Sequence, residues 1–290
     1  MTQQSFSFNA FDSTPLAGTL FEPTGKPRSA VLIAGALGVN QSFYAAFASW
    51  LAQRGHLVMT FDLRGMGVSR QPQHKHSLRG LDIDMLGWAR LDFAAAVRHL
   101  VALNGGSQIA VMGHSLGMHH AAMTGAATQA SISKVVSVAA GAGYWRNWVL
   151  RARRSAPLML HLAGPLLTPL FGYFLGKRLG MVDDLPAPVM RKWSRWCKHP
   201  DFAWGLEPDK VMPSLQTAHF AITAFSFTDD DAISLACTQK LLAVLPNAPS
   251  QLQVVSPSDV GLAKIGHVGA FRRAGEAAFW PMLQEAITAI

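Results

Sequence analysis

Ser115 stands in Gly113-His114-Ser115-Leu116-Gly117, directly after the apolar run Ile109 to Met112 and before a small-residue stretch that opens His119-His120-Ala121-Ala122. A serine hydroxyl is a weak nucleophile until a neighbouring base takes its proton. G-x-S-x-G between a strand and a helix describes a sharp turn that tolerates only small neighbours and leaves the hydroxyl exposed at the sheet edge. The chemistry open to such a serine is acyl transfer through a covalent intermediate. The same turn sets the Leu116 amide at a helix N-terminus, where it can donate to a developing oxyanion. The structural alternative is a tight glycine-rich turn that merely packs a helix on a strand.

The serine needs a base and the base needs an orienting carboxylate, in the chain order Ser, Asp or Glu, His that this kind of sheet uses. Of eleven histidines only His219 and His267 lie beyond residue 213, and His219 precedes a strand-like run. His267 follows the last such run, in Ile265-Gly266-His267-Val268-Gly269, where flanking glycines suit a loop that carries the imidazole across to Ser115. The run Ile222 to Phe227 leads into Thr228-Asp229-Asp230-Asp231. One of these carboxylates must accept from the His267 ring and fix its tautomer. The other two are expected to cap the following helix. Spacing alone does not choose among the three. A second oxyanion donor is expected from the turn Gly35-Ala36-Leu37-Gly38, after the run Val31 to Ala34.

Those loops need a frame, and the rest of the chain supplies one. Strand-sized runs at 31–34, 57–61, 109–112, 135–139, 222–227 and 252–255 alternate with helix-sized segments such as Phe43 to Gln53 and Leu86 to Leu103. This pattern predicts an α/β fold with a mostly parallel sheet covered by helices on both faces. Ser5 to Ala10 and Leu16 to Phe21 flank a polar turn and read as an antiparallel hairpin at the sheet edge. The alternation fails over residues 144–213, which hold five of the eight tryptophans and eleven basic residues against five acidic ones. We expect an α/β core of 1–143 and 214–290 carrying an inserted helical cap, 144–213. Within it, residues 155–176 carry no charge, and their prolines predict short helices joined by turns that line an apolar pocket.

Composition bounds the remaining possibilities. At 290 residues, 50% apolar, the chain can bury a large core without disulfides, and Cys197 and Cys237 are too few for a cysteine framework. Neither the adjacent His119 and His120 nor His74 with His76 has the spacing or companions of a zinc site, so no metal and no cofactor are expected. Asp62-Leu63-Arg64-Gly65-Met66-Gly67-Val68-Ser69 lacks the rest of a nucleotide fingerprint and reads as a structural turn, with Arg64 bracing neighbouring loops. The net charge of +8 comes without a nucleic-acid-binding module. The N-terminus has neither the basic nor the apolar region of a cleaved signal, and the proline-broken 155–176 stretch is no single spanning helix, so a cytoplasmic location is expected.

Asp-x-Arg-Gly-x-Gly-x-Ser at 62–69, Gly-His-Ser-Leu-Gly at 113–117 and Gly266-His267 together resemble the α/β-hydrolase superfamily over essentially the whole chain. More narrowly, Ala142-Gly143-Tyr144-Trp145, Asp184-Leu185-Pro186, the run Arg191 to Cys197, Thr228-Asp229-Asp230 and Ile265-Gly266-His267 are similar to a bacterial group of predicted α/β hydrolases, serine hydrolases with a helical lid. The resemblance favours Asp230 over Asp231 as the acid. It implies an α/β-hydrolase fold and a serine hydrolase of carboxylic esters or thioesters, with Ser115 as nucleophile, His267 as base, and Leu116 with Ala36 or Leu37 as oxyanion donors. Two departures stand out: Met118 replaces a second glycine common after the motif, and Ala34-Gly35 stands where the superfamily often has His-Gly. An acyltransferase with the same triad, or a non-catalytic ligand binder, would share these features, but the binder is expected to show a broken triad. The expected partner is a small acyl substrate held near Trp145, Trp193 and Trp196 and drawn, if anionic, by the basic excess.

Overall fold

The computed structural model describes residues 1–288. An eight-stranded sheet forms the centre, from β1 (Thr2–Asn9), β2 (Pro15–Glu22), β3 (Ser29–Ala34), β4 (His56–Phe61), β5 (Ile109–His114) and β6 (Ile132–Val138), with two later strands. After a two-stranded ribbon, β7 (Tyr173–Phe174) and β8 (Leu185–Pro186), the sheet is completed by β9 (Ala221–Phe227) and β10 (Ser250–Val255). The order is β1-β2-β4-β3-β5-β6-β9-β10. β1 and β2 form the antiparallel hairpin, β2 pairs antiparallel with β4, and all pairs from β4 to β10 are parallel.

Side chains on a strand alternate between faces, and the central strands are apolar on both. Ala30, Leu32 and Ala34 face one core cluster with Trp88, Phe93 and Leu100, whereas Val31 and Ile33 face the other with Phe47, Leu51 and Trp280. This explains why these strands read as unbroken apolar runs. Trp280, fully buried on the terminal helix Trp280–Thr288, packs edge-on against Phe47 and Trp50 and donates from Nε1 to the Ala270 carbonyl at 3.0 Å. That contact ties the last helix to the loop that carries His267.

Between β6 and β9 the described chain consists of helices and turns with β7 and β8, whose two-residue pairing is too short to leave a periodic signal. Residues 150–171 differ from expectation: they form one helical run, Leu150–Pro157, a π-helical stretch Leu158–Ala163 and Gly164–Phe171, rather than short helices joined by turns. Proline removes an amide and crowds the carbonyl four residues back. The π stretch between Pro157 and Pro165 changes that hydrogen-bond register, so the run passes the prolines without breaking. No helix among the described residues is long and apolar enough to cross a membrane.

The loop after β4 is braced as expected. Arg64 donates to Asp12 at 2.6 and 2.8 Å and to Asp92 at 2.8 and 2.6 Å, and its own amide reaches Asp92 at 2.9 Å. Asp62, buried one turn away, accepts from the Gln41 and Val68 amides at 2.8 and 3.0 Å. Both anions are thus held by donors rather than left bare in the interior.

Candidate active site

Ser115 sits between β5 and the helix Leu116–Met123 with φ 51° and ψ −108°, a conformation costly for a non-glycine residue. The glycines beside it are demanded by space. A Cβ on Gly117 would stand 2.1 Å from the Ala34 carbonyl oxygen, and one on Gly113 would stand 2.7 Å from the Met118 amide. The turn is pinned by the Ser115 amide, which donates to the Val138 carbonyl at 2.8 Å. Strain at this residue is therefore held by contacts with the ends of β3 and β6, the strands that flank β5.

His267 reaches this turn from the far end of the sheet. Its Nε2 lies 3.1 Å from Ser115 Oγ, and its Nδ1 lies 3.2 and 3.1 Å from the two oxygens of Asp230. An ionised carboxylate only accepts, so Nδ1 carries the proton and Nε2 presents a lone pair to the serine. Asp230 is buried, and its Oδ1 also accepts from the Ala232 and Ile233 amides at 2.8 and 2.9 Å.

The neighbouring aspartates have other tasks, and the expectation that they cap the next helix fails. Ser234 is the N-cap of Leu235–Ala243. Asp229 accepts from the Ile265 and Gly266 amides at 2.8 and 3.1 Å, holding the loop that bears His267. Asp231 lies half exposed, takes the His267 backbone amide at 3.4 Å and pairs with Lys264 at 3.3 Å. It does not meet the imidazole ring. The tight turn after β9 points three successive carboxylates three ways, which spacing could not reveal.

A second chain of hydrogen bonds, unforeseen in the sequence, locks the loops together. Ala36 donates its amide to the Tyr44 hydroxyl at 2.9 Å, that hydroxyl meets His114 Nδ1 at 2.8 Å, and His114 Nε2 donates to the His267 carbonyl at 2.9 Å. A carbonyl only accepts, so the proton of His114 is on Nε2 and the tyrosine donates to Nδ1. Burial, with the nearby His267 charge adding to it, lowers the His114 pKa to about 3, and burial pushes the Tyr44 hydroxyl up. Both members are neutral at neutral pH. The Ala36 amide is thereby occupied, while among the described residues no acceptor meets the Leu37 amide. His114 is the variable residue of the serine motif, and Tyr44 stands seventy positions away, so only His114 was open to notice.

Above Ser115 lies a cavity of about 350 Å³, within the roughly 300–1,000 Å³ of small-molecule sites. Leu37, Leu116 and Val268 line its floor, and Met159, Phe174 and Trp193 line its roof. Of the three tryptophans expected there, Trp193 and Trp196 line it, and Trp145 does not. Trp148 takes that place, stacked on Trp193 with ring centroids 6.0 Å apart. Among the described residues no charged side chain lines the cavity. The basic residues expected to draw an anion stand elsewhere: Arg191 and Arg195 are exposed on the helix Ala187–Lys198. Lys192, between them on the same helix, is largely buried and pairs with Asp84 and Glu207 at 3.0 and 3.1 Å. Among the described residues no three His, Cys, Asp or Glu side chains gather to hold a metal ion, and both cysteines are buried and free.

The family model described as serine aminopeptidase, S33, matches residues 25–189. No curated protein sequence matches the chain. Among solved structures, a soluble variant of monoglyceride lipase from Saccharomyces cerevisiae, bound to a substrate analogue, superposes with a TM-score of 0.68 at 14% identity, covering 99% of this chain and 96% of that one. DcsB in complex with its substrate analogue gives 0.65 at 15% identity over 99% of both chains. A thermostable carboxyl esterase from Bacillus coagulans gives 0.60 at 14% identity over 88% of this chain and 90% of that one. At such identities the likeness is one of fold.

Proposed function

The chain belongs to the α/β-hydrolase family described as serine aminopeptidase, S33, and from that premise we propose that it is a serine hydrolase cleaving a carboxylic ester or thioester of an uncharged, apolar acyl group. The 3.1 Å approach of His267 Nε2 to Ser115 Oγ, with Asp230 on the opposite ring nitrogen, carries this reading. Ser115 Oγ attacks the acyl carbonyl carbon while His267 Nε2 takes its proton, and Asp230 stabilises the imidazolium that forms. The oxyanion is received by the Leu116 amide, which as the first of its helix has no intrahelical acceptor, and by the Leu37 amide. Ala36 drops out because Tyr44 holds its amide. Collapse of the intermediate expels an alcohol or thiol, which leaves with the proton from His267. Water then attacks the acyl-enzyme with His267 as base, releasing the acid and restoring Ser115.

An ester fits the cavity better than the peptide in the family's description. An aminopeptidase must hold the α-ammonium of its substrate, a buried cation needs a counter-charge, and among the described residues no carboxylate lines this cavity. The lipase and esterase among the structural neighbours agree with that choice. Residues 144–213 act in this reading as a lid whose Trp148, Trp193 and Trp196 wall the acyl chain. The absence of a lining cation turns the expectation of an anionic acyl group toward a neutral one.

The test is a series of p-nitrophenyl esters from acetate to long acyl chains, with a fluorophosphonate label located by mass spectrometry. Each methylene buried is worth ~0.8 kcal/mol, so kcat/KM should rise about fourfold per carbon until the cavity is filled. The label should fall on Ser115, and Ser115→Ala should lose several orders of magnitude in rate while staying folded. Label on another serine, with Ser115→Ala keeping most of its activity, refutes the proposal.

A further inference from the structure

Among the described residues, seven of the thirteen exposed large apolar side chains lie within residues 150–181. Leu158, Leu162, Leu166 and Leu170 are each 51% to 67% exposed and recur every four residues along the helical run 150–171. A step of four advances about 400° in an α-helix and less through a π turn, so the four stay on one side. The opposite side is already satisfied: Leu160 and Thr168 are buried, and Ala152 and Met159 line the cavity over Ser115. The outward leucines therefore form a convex apolar ridge over the lid, with no role in its packing.

The charged residues of the run itself, and of the chain beyond it as far as Arg178, are all basic. No Asp or Glu occurs between Asp92 and Asp183. Arg151, Arg153 and Arg154 are exposed at one end of the run, and Arg178 is exposed beyond the other. Lys177, also exposed, is partly neutralised by Asp183 at 3.0 Å. Along its side, Arg191, Arg195 and Lys198 border a groove of about 250 Å³ with Pro165 and Pro169.

We infer that this face docks the protein on an anionic lipid surface, the leucines entering the boundary with the acyl chains and the arginines meeting headgroup phosphates. A ridge of apolar side chains flanked by cations fits a lipid interface, which yields to a convex helix and supplies the missing negative charge. A second copy of the chain would set the same cations against one another across a self-complementary interface. Because the ridge and the cavity lie on opposite sides of one helical run, docking would set the segment that roofs the cavity over Ser115 against a reservoir of acyl lipid. That consequence rests on the proposed ester hydrolysis, whereas the docking itself does not.

The experiment is co-sedimentation of the full chain with vesicles of phosphatidylcholine alone and of phosphatidylcholine with phosphatidylglycerol, alongside turnover of a short soluble ester. The protein should bind the phosphatidylglycerol vesicles at least tenfold more tightly than the neutral ones, and less so in high salt. The triple variant Leu158→Ser, Leu166→Ser, Leu170→Ser should lose at least tenfold in vesicle affinity with short-ester turnover unchanged, and Arg191→Gln with Arg195→Gln should weaken binding only to the anionic vesicles. Ser115→Ala should bind as the parent does, so loss of hydrolysis and loss of docking are read separately. No binding to either vesicle, equal binding by the leucine variant, or a dimer in solution that the leucine variant converts to monomer would each overturn the inference.

Discussion

Replacing Asp230 by asparagine exchanges one oxygen for an amino group and should silence the enzyme without unfolding it. Which oxygen is exchanged is dictated by the structure. Oδ1 accepts from the Ala232 and Ile233 amides at 2.8 and 2.9 Å. An amino group there would set donors against donors in a buried site, at ~1–3 kcal/mol for each group left unpaired. The asparagine oxygen therefore keeps that place, and Nδ2 takes the place of Oδ2, 3.1 Å from His267 Nδ1. A donor now faces Nδ1, so the ring must accept there and carry its proton on Nε2, toward Ser115. In that tautomer it cannot take the serine proton. The wrong tautomer in an otherwise intact triad costs about 10⁴ in kcat, or ~5.4 kcal/mol of transition-state stabilisation. Asp231→Asn keeps an acceptor for the His267 amide and loses only an exposed pair with Lys264, worth ~0–1 kcal/mol. Its kcat should stay within about threefold of the parent. Turnover of a short soluble ester, with thermal melts to confirm equal folding, ranks the two variants. A folded Asp230→Asn that keeps more than ~1% of the rate, or an Asp231→Asn slower than Asp230→Asn, refutes the assignment.

Tyr44→Phe should leave the Ala36 amide and His114 Nδ1 without partners, lowering stability by ~1–3 kcal/mol for each buried group left bare; slackening of the oxyanion loop should lower kcat about tenfold or more, both measured on one purified variant by urea unfolding and ester turnover. Trp193→Ala should enlarge the cavity and move the optimum of the ester series to longer acyl chains, and an unchanged optimum would remove Trp193 from the acyl wall. His114, His119 and His120 are held neutral by burial, with pKa values lowered to about 3, 4 and 3. The unfolded chain takes up protons at these residues below pH ~6.5 while the native chain does not, so each should remove up to ~1.4 kcal/mol of stability per pH unit as pH falls toward ~4. Urea unfolding at pH 7.5, 6 and 5 should show this decline, and a flat stability across that window would contradict it.

The sequence displays what local sterics and periodicity enforce. Ser115 is legible because Gly113 and Gly117 are required by contacts within a few residues of the turn and with the adjacent strand end at Ala34. The central parallel strands β3, β4 and β5 are legible because both faces are buried, which leaves apolar runs with no polar alternation. Choices made by tertiary approach are not legible. Trp145 opens the 3₁₀ turn Trp145–Asn147 and Trp148 follows it, and only the fold decides that Trp148 turns to the cavity and Trp145 to His161. Lys192 lies beside Arg191 on a helix whose period would send both toward water. It is drawn inward because Glu207, on a segment folded back against the same helix, supplies an acceptor. The network of Tyr44, His114 and His267 joins loops separated by 70 and 153 positions, and no short pattern could encode it.

The uncharged stretch 155–176 carries the most functional weight of these cases. Its composition announces an apolar surface and leaves open which way that surface faces. Counted as residues, it suggested a pocket wall. Placed on the helical run, Met159 faces the cavity and Phe174 closes it from the ribbon, while Leu158, Leu162, Leu166 and Leu170 face solvent. The same segment thus presents one apolar side to the space above Ser115 and a second to the outside, and the basic excess expected to draw an anionic substrate lies with the outer side. A neutral cavity beneath a cationic, leucine-faced lid is an arrangement in which charge selects the surface the protein rests on, and shape and apolar contact select what enters the site.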